Sequence, residues 1–282
     1  MSKPICVVTA PVATRSGYGA HSRDICRALI KLDKYDVKIW PVRWGSTPMN
    51  ALHNDDENDI PIIERLLSEP NLPNQPELHI HITVPNEFQA FAKYNIGITA
   101  GLETTAVPAE WLQGINRMNL NIVPSNFVKD TINKVQFDIQ NEETKQVEGV
   151  LKNEKPTEVL FEGADTTIYK KTNEFSKPLV DEMSKIEEEF SFLYVGHWLQ
   201  GGLGQDRKDT GMLVKVFCET FKNMKNQPAL IMKTSSAGFS VMDRENMLDK
   251  IKQIKDTIKG KLPNIYLLHG DFMDEEINEL YN

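Results

Sequence analysis

The chain has 282 residues, 40% hydrophobic and 26% charged, the composition of a globular protein with one large or two medium domains. Its formal net charge of -8 excludes a global basic field able to hold a nucleic-acid backbone, so no nucleic-acid partner is expected. No apolar run reaches the roughly 18 residues that span a bilayer, and the N-terminus carries a strand pattern rather than a signal-peptide core, so a cytoplasmic protein is expected.

The chain opens on a short apolar run, "ICVVTA" (5 to 10), followed by "TRSGYGAHSRDICRALI" (14 to 30), a glycine turn leading into a helix. On that helix Ala20, Ile25, Ala28 and Leu29 fall on one side and Arg23, Arg27 and Lys31 on another, an amphipathic spacing that predicts packing on a sheet. Further apolar runs follow at "DVKIWPV" (36 to 42), "ELHIHITV" (77 to 84), "YNIGITA" (94 to 100), "LNIVPS" (120 to 125) and "TEVLFEG" (157 to 163). Buried strands alternating with helical patterns predict a parallel sheet covered on both faces, an α/β fold. The polar stretch "NEETKQVEGVLKNEKP" between "KVQFDIQ" and "EVLFEG" reads as a surface hairpin or excursion.

A Lys- and Glu-rich stretch runs to about residue 189, after which the strand–helix alternation starts afresh. This divides the chain into a domain at 1–170, a linker at 171–189 and a second domain at 190–282. The second domain reads as strand 190–196, helix 208–223, strand 228–234, helix 243–258, strand 264–270 and a last helix, "DEEINELYN". Three strands are about half of what a doubly wound nucleotide-binding domain carries, so the domain is expected to be incomplete. Cys6, Cys26 and Cys218 are widely separated in apolar patterns, which predicts buried thiols in a reducing compartment rather than a disulfide framework.

Gly17 and Gly19 stand where a dinucleotide fingerprint has its first two glycines, and Ser22 takes the third place. That fingerprint also needs a tight turn, where this chain has the long lead-in "APVATRSG", and an acidic ribose clamp, where it has "IWPVRW". A nicotinamide-dependent oxidoreductase is thereby disfavoured. The turn either packs only or offers backbone N–H groups and a helix N-terminus to an anion or a sugar hydroxyl.

Other residues carry two readings each. Glu103, after a strand, serves a ligand cleft or a capping or solvated role. Ser125 and Asn126 cap a helix, though the same turn can face a cleft. Lys233, ending a strand at the ligand edge, reaches a phosphate or snorkels to solvent. His79 and His81 alternate on one strand face without an evident third ligand, so they are read as packing or surface groups and no metal is predicted. Helix 243–258 carries Lys250, Lys252, Lys255 and Lys259, but Asp243, Glu245, Asp249 and Asp256 favour a solvated face over contact with an anionic membrane.

Several segments together resemble the nucleotide-sugar-dependent glycosyltransferases of the two-Rossmann-domain (GT-B) type, specifically the retaining family 4, over nearly the whole chain. "SGYGAHSRDICRAL" resembles that family's first glycine loop and helix, and "ITAGLETTAVPAEWLQGINRMNLNIVPSNFVKDTI" the stretch leading into its "PS" turn, with Trp111 as its helix tryptophan. "VLFEGADTTIYKK" resembles the "NGVD" crossover, with Glu162 where Asn is common. "FLYVGHWLQGGLGQDRKDTGMLVKVF" resembles the opening of the donor domain.

The resemblance implies two Rossmann-like domains, the first reading an acceptor (carbohydrate, lipid or protein) and the second holding a nucleotide-sugar donor. It implies a glycosyltransferase with no cofactor and no metal, in which basic residues of the donor domain's first loop carry the diphosphate. Lys208 stands at the family's Lys position, His197 replaces its usual Arg after Gly196, and Arg207 is the candidate to compensate. The family's acidic pair around a glycine turn lies beyond residue 282, so a C-terminally truncated chain, inactive alone, is expected. The other reading is a non-catalytic or remnant glycosyltransferase-like nucleotide- or sugar-binding protein.

Overall fold

The structure is a computed structural model that describes residues 3–69, 72, 74–102, 104–199, 203–236 and 238–282. It divides into two compact units, Met1–Gly163 and Ala164–Asn282.

In chain order the first unit contains β1 (Ile5–Ala10), α1 (Gly17–Leu32), β2 (Asp36–Pro41), α2 (Ile60–Ile63) and β3 (Leu78–Ile82). A single 3-10 turn (Pro85–Glu87) precedes β4 (Tyr94–Ile98), and α3 (Ala109–Arg117), β5 (Leu120–Val123) and α4 (Asn126–Lys134) follow. The unit closes with β6 (Gln136–Gln140), β7 (Val147–Lys152) and β8 (Thr157–Val159). Six strands form one parallel sheet in the order β2-β1-β3-β4-β5-β8. The polar stretch before β8 is the antiparallel hairpin β6–β7, outside that sheet.

Strand alternation sends Cys6, Val8 and Ala10 of β1 to the α1 side, where they join Cys26, Val37, Ile39, Ile62, Ile80, Ile82 and Ile98 in one buried cluster. The buried positions of α1 are Gly19, Ser22 and Cys26, while Ala20 and Ala28, expected on the packed side, are exposed. Small side chains at 19, 22 and 26 let the helix approach the sheet closely, a signal that hydrophobic periodicity misses. A second cluster joins Trp111, Leu112 and Ile115 of α3 to Val123, Val128 and Ile132. Cys6, Cys26 and Cys218 are buried free thiols, and burial pushes Cys6 and Cys26 up to about 12.

The second unit contains α5 (Lys177–Met183), β9 (Ser191–His197), α6 (Thr210–Phe221), β10 (Ala229–Ser235), α7 (Val241–Asp256), β11 (Ile265–Leu268) and α8 (Asp274–Tyr281). Its sheet is parallel in the order β11-β10-β9, the 3-2-1 half of a doubly wound arrangement. Trp198, Val214, Phe217, Leu230, Met232, Met247 and Ile251 form its core. Residues 164–189, read from the sequence as a domain end and a linker, lie in this unit. Their backbone is tied to the last helix: Lys170 N–H donates to Asn278 Oδ1 at 2.9 Å, and Ser176 N–H to Glu279 Oε2 at 2.8 Å. No helix among the described residues is long and apolar enough to cross a membrane.

Candidate functional site

At the C-terminal edge of the first sheet, the loop between β1 and α1 is built by its own polar side chains. Thr14 is fully buried; its Oγ1 donates to Pro11 O at 2.9 Å and pairs with Ser16 Oγ at 2.8 Å. Ser16 caps α1 by accepting from Gly19 N–H at 2.9 Å. Arg23, assigned from the sequence to the polar side of α1, donates Nη1 to Val12 O at 2.9 Å and to Thr14 O at 3.0 Å.

The two glycines of the turn differ. A Cβ on Gly19 would stand 2.2 Å from Thr14 O and 2.7 Å from Thr14 Oγ1, so Gly19 lets the loop lie against the helix. A Cβ on Gly17 would meet nothing within 4 Å, which leaves its exposed backbone open to a ligand. Between them, Tyr18 spans the edge. Its hydroxyl pairs with Thr99 Oγ1 at 3.0 Å and accepts from Ala100 N–H at 3.0 Å, and its ring stacks on Trp44 at 4.1 Å. Burial raises the Tyr18 pKa above its ordinary value, against the lowering effect of those hydrogen bonds, so the phenol stays neutral. Glu103 lies outside the described residues.

Ser125 caps α4, its Oγ accepting from Val128 N–H at 3.2 Å. Trp111 is buried in the core. His79 and His81 are both buried on β3: His79 Nε2 pairs with Thr9 Oγ1 at 2.9 Å, and His81 Nδ1 accepts from Gln89 N–H at 3.1 Å. Burial lowers their pKa values to about 3 and about 4, so both are neutral.

In the second unit, Gly196 lies near the end of β9, and the Lys208 side chain passes over it: a Cβ on Gly196 would stand 3.3 Å from Lys208 Cδ. Lys208 is held there by the entry to α6. Asp206, 5% exposed, accepts from Thr210 N–H at 2.9 Å and Gly211 N–H at 3.3 Å, and Asp209 turns through the left-handed region at φ 52°. Burial pushes the Asp206 carboxyl up, but those helix N–H groups outweigh it and hold the pKa below the ordinary carboxylate value. Asp206 neutralises the helix end from inside, leaving Arg207 and Lys208 exposed with no ion-pair partner among the described residues.

The structure brings Gly196 and Lys208 together and sets His197 beside Ser235, with Nδ1 and Oγ 3.4 Å apart. Lys233, on the adjoining strand, donates Nζ to Gly270 O at 3.0 Å and stands over the Phe239 and Phe272 rings at 5.2 and 4.9 Å. Its charge is thus engaged with the loop after β11. Asp243, grouped from the sequence with a solvated face, is instead 8% exposed. Its carboxylate accepts from Ser236 Oγ and N–H and from His269 Nε2 at 2.8 Å, because the first turn of α7 faces the ends of β10 and β11. Sequence reading missed Asp206, Tyr18 and Asp243; only the placement of Asp206 four residues before the helical Thr210 offered a signal.

No family model and no curated protein matches the chain. Among solved structures it is similar to trehalose-6-phosphate synthase from E. coli bound with UDP-2-fluoro glucose, at 12% identity and a TM-score of 0.53 over 98% of this chain and 76% of that one. It is also similar to OtsA in its apo form, at 11% identity and a TM-score of 0.54 over 99% of this chain and 76% of that one. The chain therefore has the α/β, GT-B type of fold found in these glycosyltransferases, with parallel sheets in both units.

Proposed function

We propose that the protein is a nucleotide-sugar-dependent glycosyltransferase, acting with retention in the manner of family 4, whose second unit holds the donor and whose first unit reads the acceptor. The observation that carries this reading is the β9–α6 entry, where Lys208 lies over Gly196 and both Lys208 and Arg207 are exposed with no ion-pair partner among the described residues. Breaking the bond between the sugar and the diphosphate leaves negative charge on the diphosphate, and fixed cations stabilise that charge as it develops. The buried free thiols support a cytoplasmic setting. His197, in place of the family's usual Arg and beside Ser235, favours the second reading, a non-catalytic protein that binds nucleotide or sugar.

A thermal-shift screen of UDP-, GDP- and ADP-sugars tests the donor assignment. A donor at 100 times its Kd adds about 2.7 kcal/mol to native-state stability, and at the same donor concentration the gain should shrink to about 0.3 to 1.4 kcal/mol in Lys208→Ala. No shift with any donor would remove both readings. Binding without nucleoside diphosphate release in the presence of acceptors would favour the second.

A further inference from the structure

The β6–β7 hairpin stands outside the six-stranded sheet and leaves apolar side chains in solvent. Every residue of β6 is exposed, Phe137 by 36% and Ile139 by 49%, and on β7 Val147 and Val150 are exposed as well. A two-stranded ribbon has little stability of its own, and an open strand edge is ordinarily blunted by lysine or proline. Neither residue occurs in β6.

The two edges of the hairpin differ. On β7, the Lys152 carbonyl accepts from Asn116 Nδ2 at 2.8 Å, so α3 occupies that end of the edge. Because this carbonyl points away from β6, Lys152 and Gln136 form a non-hydrogen-bonded pair of the antiparallel ladder. Alternation along β6 then turns the N–H and C=O groups of Asp138 and Gln140 outward, where they have no backbone partner among the described residues. That edge is a template for a further strand.

The charges select which strand. Lys134 and Lys152 stand at the base of the hairpin, and Glu142 and Glu143 stand in its turn beside Lys145, all of them exposed. Lys134 meets only Asp130, 3.9 Å away and one turn back on α4. An antiparallel copy of β6 sets the basic base of each hairpin against the acidic turn of the other, and the two-fold axis repeats the match. Pairing centred on Asp138 would place two carboxylates opposite each other, which is destabilising. Pairing centred on Ile139 instead places Ile139 opposite its own copy, Asp138 opposite the partner's Gln140, and Lys134 next to the partner's Glu143.

We propose that the protein forms a two-fold dimer through β6, the two hairpins joining as one antiparallel sheet in the order β7-β6-β6-β7. The contact is isologous and closes on itself, and Asn116 guards the β7 edge, so assembly stops at two copies. This dimer holds whether or not the chain transfers sugars.

The test is sedimentation of the full chain over about 5 to 500 µM, a range chosen because one strand pair lies at the small, weak end of specific interfaces. A monomer–dimer equilibrium is expected within it, moved toward monomer by salt. Ile139→Lys places two like charges at the two-fold axis and should raise the dissociation constant about tenfold or more. Its aliphatic stem still lies over Gly149, as the Ile139 side chain does, so the Tm and far-UV spectrum should match wild type. Lys134→Glu should weaken the dimer, and combining it with Glu142→Lys and Glu143→Lys should restore it, a rescue that damage to the fold would not give. Amide exchange at Asp138 and Gln140 should slow as the dimer fills. A chain still monomeric at about 500 µM, a dimer undiminished by Ile139→Lys, or charge reversal without rescue would each overturn the proposal.

Discussion

Replacing Gly19 by Ala tests the division of labour in the opening glycine turn. The new Cβ would stand 2.2 Å from Thr14 O, 2.7 Å from Thr14 Oγ1 and 3.0 Å from Pro11 O. Two of those three atoms are backbone, so relief requires the loop to move by about 1 Å. That movement strains three hydrogen bonds: Thr14 N–H to Pro11 O at 3.0 Å, Thr14 Oγ1 to Pro11 O at 2.9 Å, and Arg23 Nη1 to Thr14 O at 3.0 Å. At about 1 kcal/mol each the loss is about 3 kcal/mol, and the better helix propensity of Ala returns about 1. The net is about 2 kcal/mol of destabilisation, within the range of overpacked sites. At 2 to 4 °C per kcal/mol this lowers the first unit's Tm by about 4 to 8 °C. Gly17→Ala, with nothing within 4 Å of its Cβ, should leave Tm unchanged or slightly raised. Urea and thermal unfolding of the two variants read this directly, and a Gly19→Ala protein as stable as wild type would refute the packing role.

Other consequences follow from the same geometry. Lys208→Ala removes an exposed side chain with no ion-pair partner among the described residues, so unfolding should shift by less than about 0.5 kcal/mol while donor turnover falls roughly 100-fold or more; normal nucleoside diphosphate release would contradict its role. Tyr18→Phe strips Thr99 Oγ1 and Ala100 N–H of a partner and should cost about 1 to 3 kcal/mol in chemical denaturation, with an unchanged midpoint counting against it. His79 and His81 titrate near 3 and 4 when folded, below their ordinary 6.5, so the unfolded chain binds more protons as pH falls below 6.5. Stability should therefore be full above pH 6.5 and fall toward pH 4, each histidine withdrawing about 1.4 kcal/mol per pH unit. Denaturation at pH 7.5 and 5 should show this slope, and a His79→Gln variant with the same slope as wild type would exclude His79 as a source.

Much of the fold was legible because it rests on periodicity. The apolar runs from "ICVVTA" to the strand at 264–270 became strands of two parallel sheets, and the polar stretch from "NEET" onward lies in the β6–β7 hairpin and its turn. The packed face of α1 was misread because Gly19, Ser22 and Cys26 are small, and closeness to the sheet rather than hydrophobicity buries them. The pairing of Lys208 with Gly196 was within reach of the sequence, since both flank one strand–loop–helix entry. Tyr18 with Thr99 and Asp243 with His269 were not, because each joins residues that only the strand order brings together.

The most direct test of the central claim is calorimetric binding of the nucleotide-sugar donor that gives the largest thermal shift, to wild type and to Lys208→Ala. A charge-assisted contact to phosphate of about 1.5 to 3 kcal/mol predicts that Kd rises about 10- to 150-fold in the variant, with folding stability unchanged. Equal donor affinity in the two proteins, or no donor binding by wild type, would contradict the account.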